Sequence, residues 1–222
     1  MNSVSLDLGK QLQDPYTIGQ VHVCKLPENK VVKLYEGSIK RAFDFSISII
    51  LALLILPWLT PILYIFIKGN SKGPLFFVQK RVGRNGQIFN CLKFRTMKED
   101  GLAVTPIGYL LRITHIDELP QLLNIVSGTM SLVGPRPHMI ADHERFSALI
   151  HDYNLRHGVR PGLTGLAQSY GFHGSTPDYE SIENRTRFDL LYVKKISLGM
   201  DLKILIRTFK MSLLVFKNMK RK

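Results

Sequence analysis

Hydrophobic residues are most concentrated in residues 45–67, which read FSISIILALLILPWLTPILYIFI and contain no charged side chain. A straight helix over this segment would extend ~35 Å, enough to cross the ~30 Å hydrocarbon core of a bilayer. A buried core helix is the alternative explanation of an apolar run. The length and uniform apolarity of this segment favour membrane insertion instead.

Two prolines interrupt the apolar segment. Pro57 cannot donate to the carbonyl of Leu53, and Pro61 leaves the carbonyl of Pro57 without a donor, so the backbone should bend there. Basic residues flank both ends: Lys33, Lys40 and Arg41 before it, and Lys68, Lys72, Lys80, Arg81 and Arg84 after it. Because cytoplasmic flanks carry the Lys/Arg excess, both ends fit the cytoplasmic side, as in a re-entrant hairpin. A kinked spanning helix is equally compatible with the sequence.

The rest of the pattern predicts a mostly helical domain with one β-hairpin. Short β-type runs around Gly83 and Gly86 predict the hairpin, over residues 75–95. Helical spacing predicts helices over residues 105–113, 119–126, 139–156 and 179–193. The Gly/Pro-rich segments GTMSLVGPRP and VRPGLTGLAQSYGFHGS predict loops. Residues 201–222 form a basic amphipathic pattern, which suits a membrane surface or, equally, packing on the domain.

Charge narrows the class of partner. The chain carries 30 Lys+Arg against 17 Asp+Glu, a net charge of +13, which predicts attraction to nucleic acid, anionic lipid or a nucleotide. Cys24 and Cys91 have neither CxxC nor Cys/His ligand spacing, so we expect no disulfide framework and no structural zinc. Residues 1–39 are polar or mixed, and we expect no cleavable signal peptide there.

Candidate chemistry centres on Asp117 and Glu118, adjacent carboxylates in the segment THIDELPQLL. They could simply begin a helix, because acidic side chains are favoured at that position. A carboxylate can also attack a phosphoryl group when a cation screens the repulsion, and its neighbour can hold Mg²⁺. The sequence contains no GxGxxG, Walker A, HExxH or GxSxG motif. Helix capping and catalysis are compatible interpretations of this pair.

Basic residues lie beside loop formers or helix ends around the acidic pair. The candidates for phosphate or substrate binding are Lys93, Arg95, Arg112, Arg136 and Arg160. A rigid backbone would hold a guanidinium group ready for bidentate phosphate binding, whereas a solvated loop arginine is the ordinary explanation of any single one. The histidines, including His138, His143, His151, His157 and His173, show no ligand pattern and are expected at the surface or in loops.

Six segments, in a fixed order, resemble the bacterial sugar transferases. These are monotopic phosphoglycosyl transferases that start assembly of surface polysaccharides and glycoproteins on a polyprenyl phosphate. The segments are KRAFD, the proline-broken hydrophobic helix, FFVQKRVGRNGQIFNCLKFRTM, LRITHIDELPQLLNIVSGTMSLVGPRP, VRPGLTGLAQ and FDLLYVKKISLGMDLKIL. The resemblance extends over residues 40–210 and leaves residues 1–39 outside.

The resemblance implies an activity and roles for residues. A sugar 1-phosphate would pass from a UDP-sugar to undecaprenyl phosphate with release of UMP, in the presence of Mg²⁺. Asp117 would be the nucleophile of a covalent aspartyl-phosphosugar intermediate, and Glu118 would be associated with the metal. The implied phosphate contacts are Lys93, Arg95, Arg112 and Arg136. The re-entrant helix would break at Pro57, with Lys40 and Arg41 at the membrane interface.

The expected fold is α+β: mostly helical, with a short β-hairpin and amphipathic interfacial helices around a compact catalytic domain. An amino-terminal extension of unassigned role (residues 1–39) would precede the re-entrant helix (40–68) and the catalytic domain (69–222). The implied location is the cytoplasmic face of the bacterial inner membrane. Membrane lipid and downstream glycosyltransferases are the implied partners, nucleic acid is not one, and a homodimer stays open.

The chain departs from the family pattern at several points. His115-Ile116 stands where Ser-Leu is usual, Lys195 stands where asparagine is common, and SYGFHGSTPD replaces a GRN-type loop. The segments RHGVRPG and PRPH favour a simple hexose such as glucose or galactose. Two alternatives remain open: a non-catalytic, membrane-anchored basic protein that binds nucleic acid or acidic glycan, and a bitopic transferase with the same chemistry.

Overall fold

The structure, a computed structural model, describes residues 35–172 and 179–219. The helices are α1 (Lys40–Asn70), α2 (Pro106–Thr114), α3 (Gln121–Ser127), α4 (Ile140–Leu149), α5 (Leu166–Ser169), α6 (Tyr179–Lys195) and α7 (Leu198–Met219). The strands are β1 (Phe76–Val82), β2 (Ile88–Phe94), β3 (Ser131–Val133) and β4 (Gly162–Thr164). A π-helical turn precedes α1 (Tyr35–Ile39), and three 3₁₀ turns occupy Arg84–Gly86, Ile116–Glu118 and Tyr153–Gly158.

Helix α1 is long and apolar enough to cross a membrane, and little of its apolar stretch is buried. Trp58, near its middle, is 76% exposed. A core helix of a soluble domain would bury such side chains, so the exposed middle of α1 disagrees with the core-helix alternative. Pro57 and Pro61 lie inside this helix, which is a single element from Lys40 to Asn70, so the predicted break at Pro57 stays a prediction.

Both ends of α1 pack on the same domain. Near its start, residues spaced by four are buried: Lys40, Asp44, Ser48 and Ala52. This spacing places them on one face, and Ala52 belongs to the main core, with residues of α3 and β3. Near its end, Leu63 and Ile67 form a second cluster with Phe94 and Leu111. The two buried ends therefore lie on one domain while the apolar middle stays uncovered.

The predicted hairpin is confirmed. Strands β1 and β2 pair antiparallel, with Phe76 opposite Phe94 and Val82 opposite Ile88. Asn124 of α3 joins the hairpin to the core: its amide nitrogen donates to the carbonyl of Asn90 at 2.8 Å, and its amide oxygen accepts from the Leu92 amide at 2.9 Å. One side chain thus supplies the hydrogen bonds that a neighbouring strand would otherwise make.

The two Gly/Pro-rich segments predicted as loops contain a second sheet. Strands β3 and β4, three residues each, pair in parallel. The backbones approach so closely that a Cβ on Gly162 would lie 2.1 Å from the amide nitrogen of Gly134. Glycine permits this approach because it has no side chain. Strands this short carry no readable periodicity, which explains why the sequence does not predict them.

Helix α4 is shorter than predicted. The pattern predicts a helix over residues 139–156, but α4 ends at Leu149 and Asp152 adopts a left-handed conformation with φ 63°. A 3₁₀ turn over Tyr153–Gly158 follows. Aspartate tolerates the left-handed region better than most residues, and a helix cannot continue through it. The break turns Tyr153 and Arg156 into the interior, where both are buried.

A buried carboxylate anchors the start of α1. Asp201, at the start of α7, forms an ion pair with Lys40 and accepts hydrogen bonds from Tyr35 at 2.6 Å and Tyr192 at 2.7 Å. Asp201 is fully buried and Lys40 is 2% exposed. Four segments therefore converge on one carboxylate at the base of the apolar helix.

The predicted interface residues Lys40 and Arg41 make contacts within the protein. The Lys40 ammonium is buried against Asp201 rather than turned towards lipid headgroups. The Arg41 guanidinium donates to the carbonyls of Ile125 and Val126, the latter at 2.7 Å, at the end of α3. Helix carbonyls at a C-terminus lack intrahelical partners, so Arg41 satisfies them and ties α1 to α3.

Removing the Lys40 ammonium should destabilise the fold. Lys40→Met leaves Asp201 buried without its counter-charge, which we expect to cost about 3 kcal/mol, at the lower end for a broken buried pair because two tyrosines still donate. The midpoint of thermal unfolding in detergent should fall by roughly 6–12 °C. Arg187→Met, which removes an exposed pair with Glu183, is the matched control and should change little. Equal midpoints for both variants would contradict the anchoring role.

Candidate functional site

Asp117 and Glu118 lie in the 3₁₀ turn between α2 and α3. His115, with φ 58°, ends α2 and redirects the chain into this turn. Helix α3 begins only at Gln121, and no side-chain hydrogen bond caps it or the turn. Both carboxylates are nevertheless buried, at 7% and 6% exposure. The pair therefore does not perform the helix-capping role that its sequence context suggests.

Glu118 is held by two cations. Lys93 donates to its Oε1 at 2.6 Å, while Arg136 donates to Oε1 at 2.8 Å and to Oε2 at 3.3 Å. Burial by itself would raise the pKa of Glu118, but Arg136 and Lys93 outweigh it and lower that pKa well below its ordinary value. Glu118 is consequently ionised. It links the end of β2 to Pro135-Arg136-Pro137, the Pro-Arg-Pro segment.

Asp117 is not tied in this way. Across the described part of the chain, its carboxylate receives no hydrogen bond, although Asp117 lines a large cavity. Burial raises its pKa above the ordinary value, the nearby Lys93 charge partly offsets this, and the Glu118 charge adds to the rise. Of the two neighbouring carboxylates, one is engaged and the other remains available to a ligand.

The cavity beside Asp117 is cationic. It has a volume of about 820 Å³, and four of the five predicted phosphate-binding residues line it: Lys93, Arg95, Arg112 and Arg136. Two of them are oriented by neutral partners, since Arg95 donates to the carbonyl of Pro74 at 2.7 Å and Arg112 to the hydroxyl of Thr96 at 2.9 Å. Neither of these contacts neutralises the guanidinium charge, so both arginines can attract an anionic ligand into the cavity.

Arg160 lies elsewhere. It lines a separate polar cavity of about 390 Å³ together with Arg84, and its Nε donates to the carbonyl of Gly128 at 3.1 Å. The structure therefore does not bring this predicted residue to Asp117. The Pro-Gly that follows Arg160 instead belongs to the close approach of β3 and β4.

Residues that the sequence did not single out also line the cationic cavity. Phe77, Gln79 and Arg81 alternate along β1, and Phe77 is paired with Lys93. Alternate residues of a strand face the same side, so a period-two reading of the predicted hairpin, started from Lys93, could have found them. His115 lines the cavity as well. Nothing in its sequence context signals this, because its position depends on the turn.

Three histidines expected at the surface or in loops are buried. His138, His143 and His157 are 6%, 3% and 4% exposed, so a surface position is wrong for all three, although His138 does lie in a loop. They pack around Tyr153, because the break after α4 folds the 3₁₀ turn back onto this helix. His151 is exposed, as expected, and His173 lies outside the described residues.

An apolar groove meets the cationic cavity at the acidic pair. The groove, about 380 Å³, is formed by side chains of α1, α3 and α7, including Leu51, Leu122 and Phe209. His115 and Glu118 line both spaces. The site can therefore bind a polar headgroup in the cavity and an apolar chain in the groove, both next to Glu118.

The residues present suit a magnesium ion only together with substrate. In the described ranges, no group of three or more His, Cys, Asp or Glu is arranged to hold a metal. Mg²⁺ commonly takes one or two protein carboxylates and completes its shell with water and phosphate oxygens. A carboxylate has about four lone-pair sites, and Glu118 already uses three of them. Asp117 and the remaining site on Glu118 fit such a hard cation.

Comparison with known proteins identifies relatives. A model of the family described as Bacterial sugar transferase matches residues 35–215. The chain is 40% identical over 196 residues to a UDP-glucose:undecaprenyl-phosphate glucose-1-phosphate transferase of Klebsiella pneumoniae, covering 80% of this chain and 42% of the relative. It is 44% identical over 181 residues to a protein of the same name from Caulobacter vibrioides, covering 76% and 67%.

A third relative is named for a different sugar. The UDP-N-acetylgalactosamine-undecaprenyl-phosphate N-acetylgalactosaminephosphotransferase of Aeromonas hydrophila is 34% identical over 216 residues, covering 90% of this chain and 50% of the relative. The chain spans less than half the length of several curated relatives that it matches, including the one from Klebsiella pneumoniae. Similarity thus extends across the described domain and includes proteins named for different sugars.

The ion pair on Glu118 predicts a pH-dependent effect of Arg136→Met. Because the folded-state pKa of Glu118 is lowered, its contribution to stability is present above the ordinary value of 4.5 and is lost as pH falls through the lowered pKa. Arg136→Met should reduce the free energy of unfolding by about 2 kcal/mol at neutral pH. The difference from wild type should shrink below the ordinary carboxyl pKa. Unfolding curves between pH 7 and pH 3 measure it, and a pH-independent difference would contradict the assignment.

Proposed function

Because the chain belongs to the bacterial sugar transferase family, we propose that it transfers a sugar 1-phosphate from a UDP-sugar to undecaprenyl phosphate and releases UMP. One observation carries the proposal: Glu118, beside Asp117, lines both the cationic cavity and the apolar groove. A nucleoside diphosphate requires cations, and a polyprenyl chain requires apolar surface. Asp117, next to this junction, could react with the nucleoside diphosphate sugar in the cavity. The sugar phosphate could then pass to the lipid in the groove.

In the first step, an oxygen of Asp117 attacks the phosphorus that carries the sugar. A bond forms between the carboxylate and that phosphorus, and the bond to the bridging oxygen breaks, so UMP leaves with the electron pair. Asp117 is suited to this role because no hydrogen bond from the described residues occupies its carboxylate. The cations around it would neutralise the diphosphate, which lowers the repulsion between two anions.

In the second step, a phosphate oxygen of undecaprenyl phosphate attacks the same phosphorus. The bond to Asp117 breaks, the carboxylate is regenerated, and the product is a sugar linked to the lipid through a diphosphate. The apolar groove between α1 and α7 supports this step, because it would hold the part of the lipid nearest its phosphate beside the acidic pair. Downstream glycosyltransferases would extend this product in the assembly of a surface polysaccharide or glycoconjugate.

Glu118 has two roles in this proposal. Its contacts with Lys93 and Arg136 hold both cations at the edge of the cavity. With Asp117 it would also contribute oxygen ligands to Mg²⁺, whose charge would reduce the repulsion between the nucleophile and the diphosphate. The first role follows from the two ion pairs of Glu118 and does not depend on the metal.

The arrangement of α1 supports a monotopic, re-entrant topology. Its two ends, near Lys40 and Ile67, pack on one domain, and its exposed apolar middle contains Pro57. A spanning helix would carry its two ends to opposite sides of the bilayer, whereas contact of both ends with one domain fits a helix that returns to the same side. Apolar residues of α7 are also exposed, including Ile206, Phe209 and Leu213. Because a UDP-sugar donor is made in the cytoplasm, we infer that the domain would face the cytoplasmic side of a bacterial inner membrane.

The experiment that tests the activity uses a panel of UDP-sugars, beginning with UDP-glucose and UDP-galactose. Purified protein, undecaprenyl phosphate and Mg²⁺ should release UMP with at least one donor. Asp117→Asn keeps the size of the side chain but replaces the nucleophilic carboxylate with a neutral amide, and turnover should fall at least about 1,000-fold.

Asp152→Asn is the matched control, because Asp152 is half exposed, lies outside the cationic cavity, and has a left-handed conformation that asparagine tolerates. It should retain wild-type turnover. No UMP from any donor would refute the proposed activity. Full turnover by Asp117→Asn would refute only the nucleophile.

A bulky residue in the apolar groove should separate the two steps. Ser212 lines the groove from α7, and Ser212→Trp should obstruct the lipid while leaving the cationic cavity intact. Labelling of the protein by a UDP-sugar radioactive in its sugar should stay near wild type without acceptor, whereas lipid product should form at least ~10-fold more slowly. Lys210→Trp, on the same helix but outside the groove, should slow neither step. Loss of protein labelling in Ser212→Trp would contradict the assignment of the groove to the acceptor.

A further inference from the structure

The Pro-Arg-Pro segment is held in place by three successive carbonyls. The carbonyl of Arg136 accepts from Arg156 at 2.7 Å, that of Pro137 accepts from Arg81, and that of His138 accepts from the Val82 amide at 3.0 Å. Arg81 and Val82 belong to β1, whereas Arg156 approaches from the buried side of the segment. Of these donors, Arg156 binds the backbone of Arg136 itself, and the Arg136 side chain forms the ion pair with Glu118.

Arg156 is almost completely buried, at 2% exposure. Its Nη2 and Nε donate to one carboxylate oxygen of Asp189, in α6, at 2.6 and 3.0 Å. The same Nη2 donates to the Arg136 carbonyl. A buried guanidinium with no anionic partner would be strongly unfavourable, and Asp189 supplies that partner. The pair thus links α6 to the backbone of Arg136.

The other side of the guanidinium contacts Tyr153 and His138. Nη1 lies 3.2 Å from Nδ1 of His138 and 3.4 Å from the hydroxyl of Tyr153, and that hydroxyl lies 2.5 Å from the same Nδ1. A guanidinium has no acceptor, so Nδ1 accepts and the imidazole is neutral. Burial lowers the pKa of His138, and the Arg156 charge lowers it further, in agreement with a neutral ring. The segments RHGVRPG and PRPH are therefore in direct contact.

We propose that Arg156 is a positioning residue: by holding the carbonyl of Arg136, it fixes the direction in which the Arg136 guanidinium reaches Glu118 and the substrate diphosphate. Arg136 contacts Glu118 through both terminal nitrogens, which requires a defined backbone position beneath it. Arg156 itself does not line the cationic cavity. The inference rests on the proposed function for its effect on turnover, whereas the contacts themselves do not.

Lysine could not replace Arg156 in this role. The guanidinium contacts Asp189, Arg136 and Tyr153 in three directions fixed by its plane. An ammonium would keep the charge beside Asp189 but lacks the planar fork that spans these partners. Arg156→Lys thus preserves the buried charge pair while removing the defined link to Arg136, which makes it a sharper probe than a neutral residue.

A double-mutant cycle tests the proposal. Arg156→Lys should lower kcat/KM for the UDP-sugar about 10- to 100-fold, the scale of a small misplacement at a reacting group. Arg136→Met should lower it by about 100-fold or more. If Arg156 acts through Arg136, adding Arg156→Lys to Arg136→Met should cost less than about 3-fold more. A purely structural role would instead reduce kcat/KM by the same factor in both backgrounds.

Arg187→Lys, an Arg-to-Lys change on the exposed side of α6, is the matched control and should leave kcat/KM unchanged. Thermal midpoints of all variants show whether each is folded. Should Arg156→Lys not fold, Asp189→Asn takes its place in the cycle, because it keeps the side-chain size but removes the charge that orients Arg156. Absence of UMP release by wild type would refute the proposed function itself. With an active wild type, equal losses in both backgrounds, or no loss in the probe variant, would overturn the positioning role.

Discussion

The site depends on the ion pairs that Glu118 forms with Lys93 and Arg136. It brings together three segments distant in sequence: the end of β2, the 3₁₀ turn and the Pro-Arg-Pro segment. Because two cations bind Glu118, its neighbour Asp117 can stay buried without a hydrogen bond from any residue that the structure describes. The two carboxylates have different roles because their partners differ, although they are adjacent in the chain and equally buried.

A second constraint comes from the apolar helix. Asp201 binds the base of α1 through Lys40 and Tyr35, and the far end packs against Phe94 of the hairpin that also carries Lys93. The same helix therefore forms one wall of the apolar groove and supports the strand that supplies a cation to the site. Basic side chains converge on the cavity beside Asp117, which suits a phosphorylated ligand small enough to enter it.

Sequence reasoning predicted the local features well. Periodicity and composition predict the apolar helix, the hairpin, α6 and α7, because each has a clear hydrophobic pattern of its own in the sequence. It also named five basic residues, of which four line the cavity beside the acidic pair, and their role in phosphate binding stays a prediction. It was wrong where tertiary contacts decide: the glycine-mediated pairing of β3 and β4, the break at Asp152, the buried histidines and the location of Arg160 have no local signature.

The sequence by itself determined the apolar segment with its prolines, the excess of positive charge and the presence of two carboxylates among loop arginines. These are properties of composition and order, and they already indicate a membrane-associated protein that handles phosphates. Only the tertiary structure decided which carboxylate is engaged and which is available, and that a cationic cavity and an apolar groove meet beside them. That outcome depends on contacts between residues such as Glu118 and Arg136, or Arg156 and Asp189, whose distance is set by the packing of the whole domain.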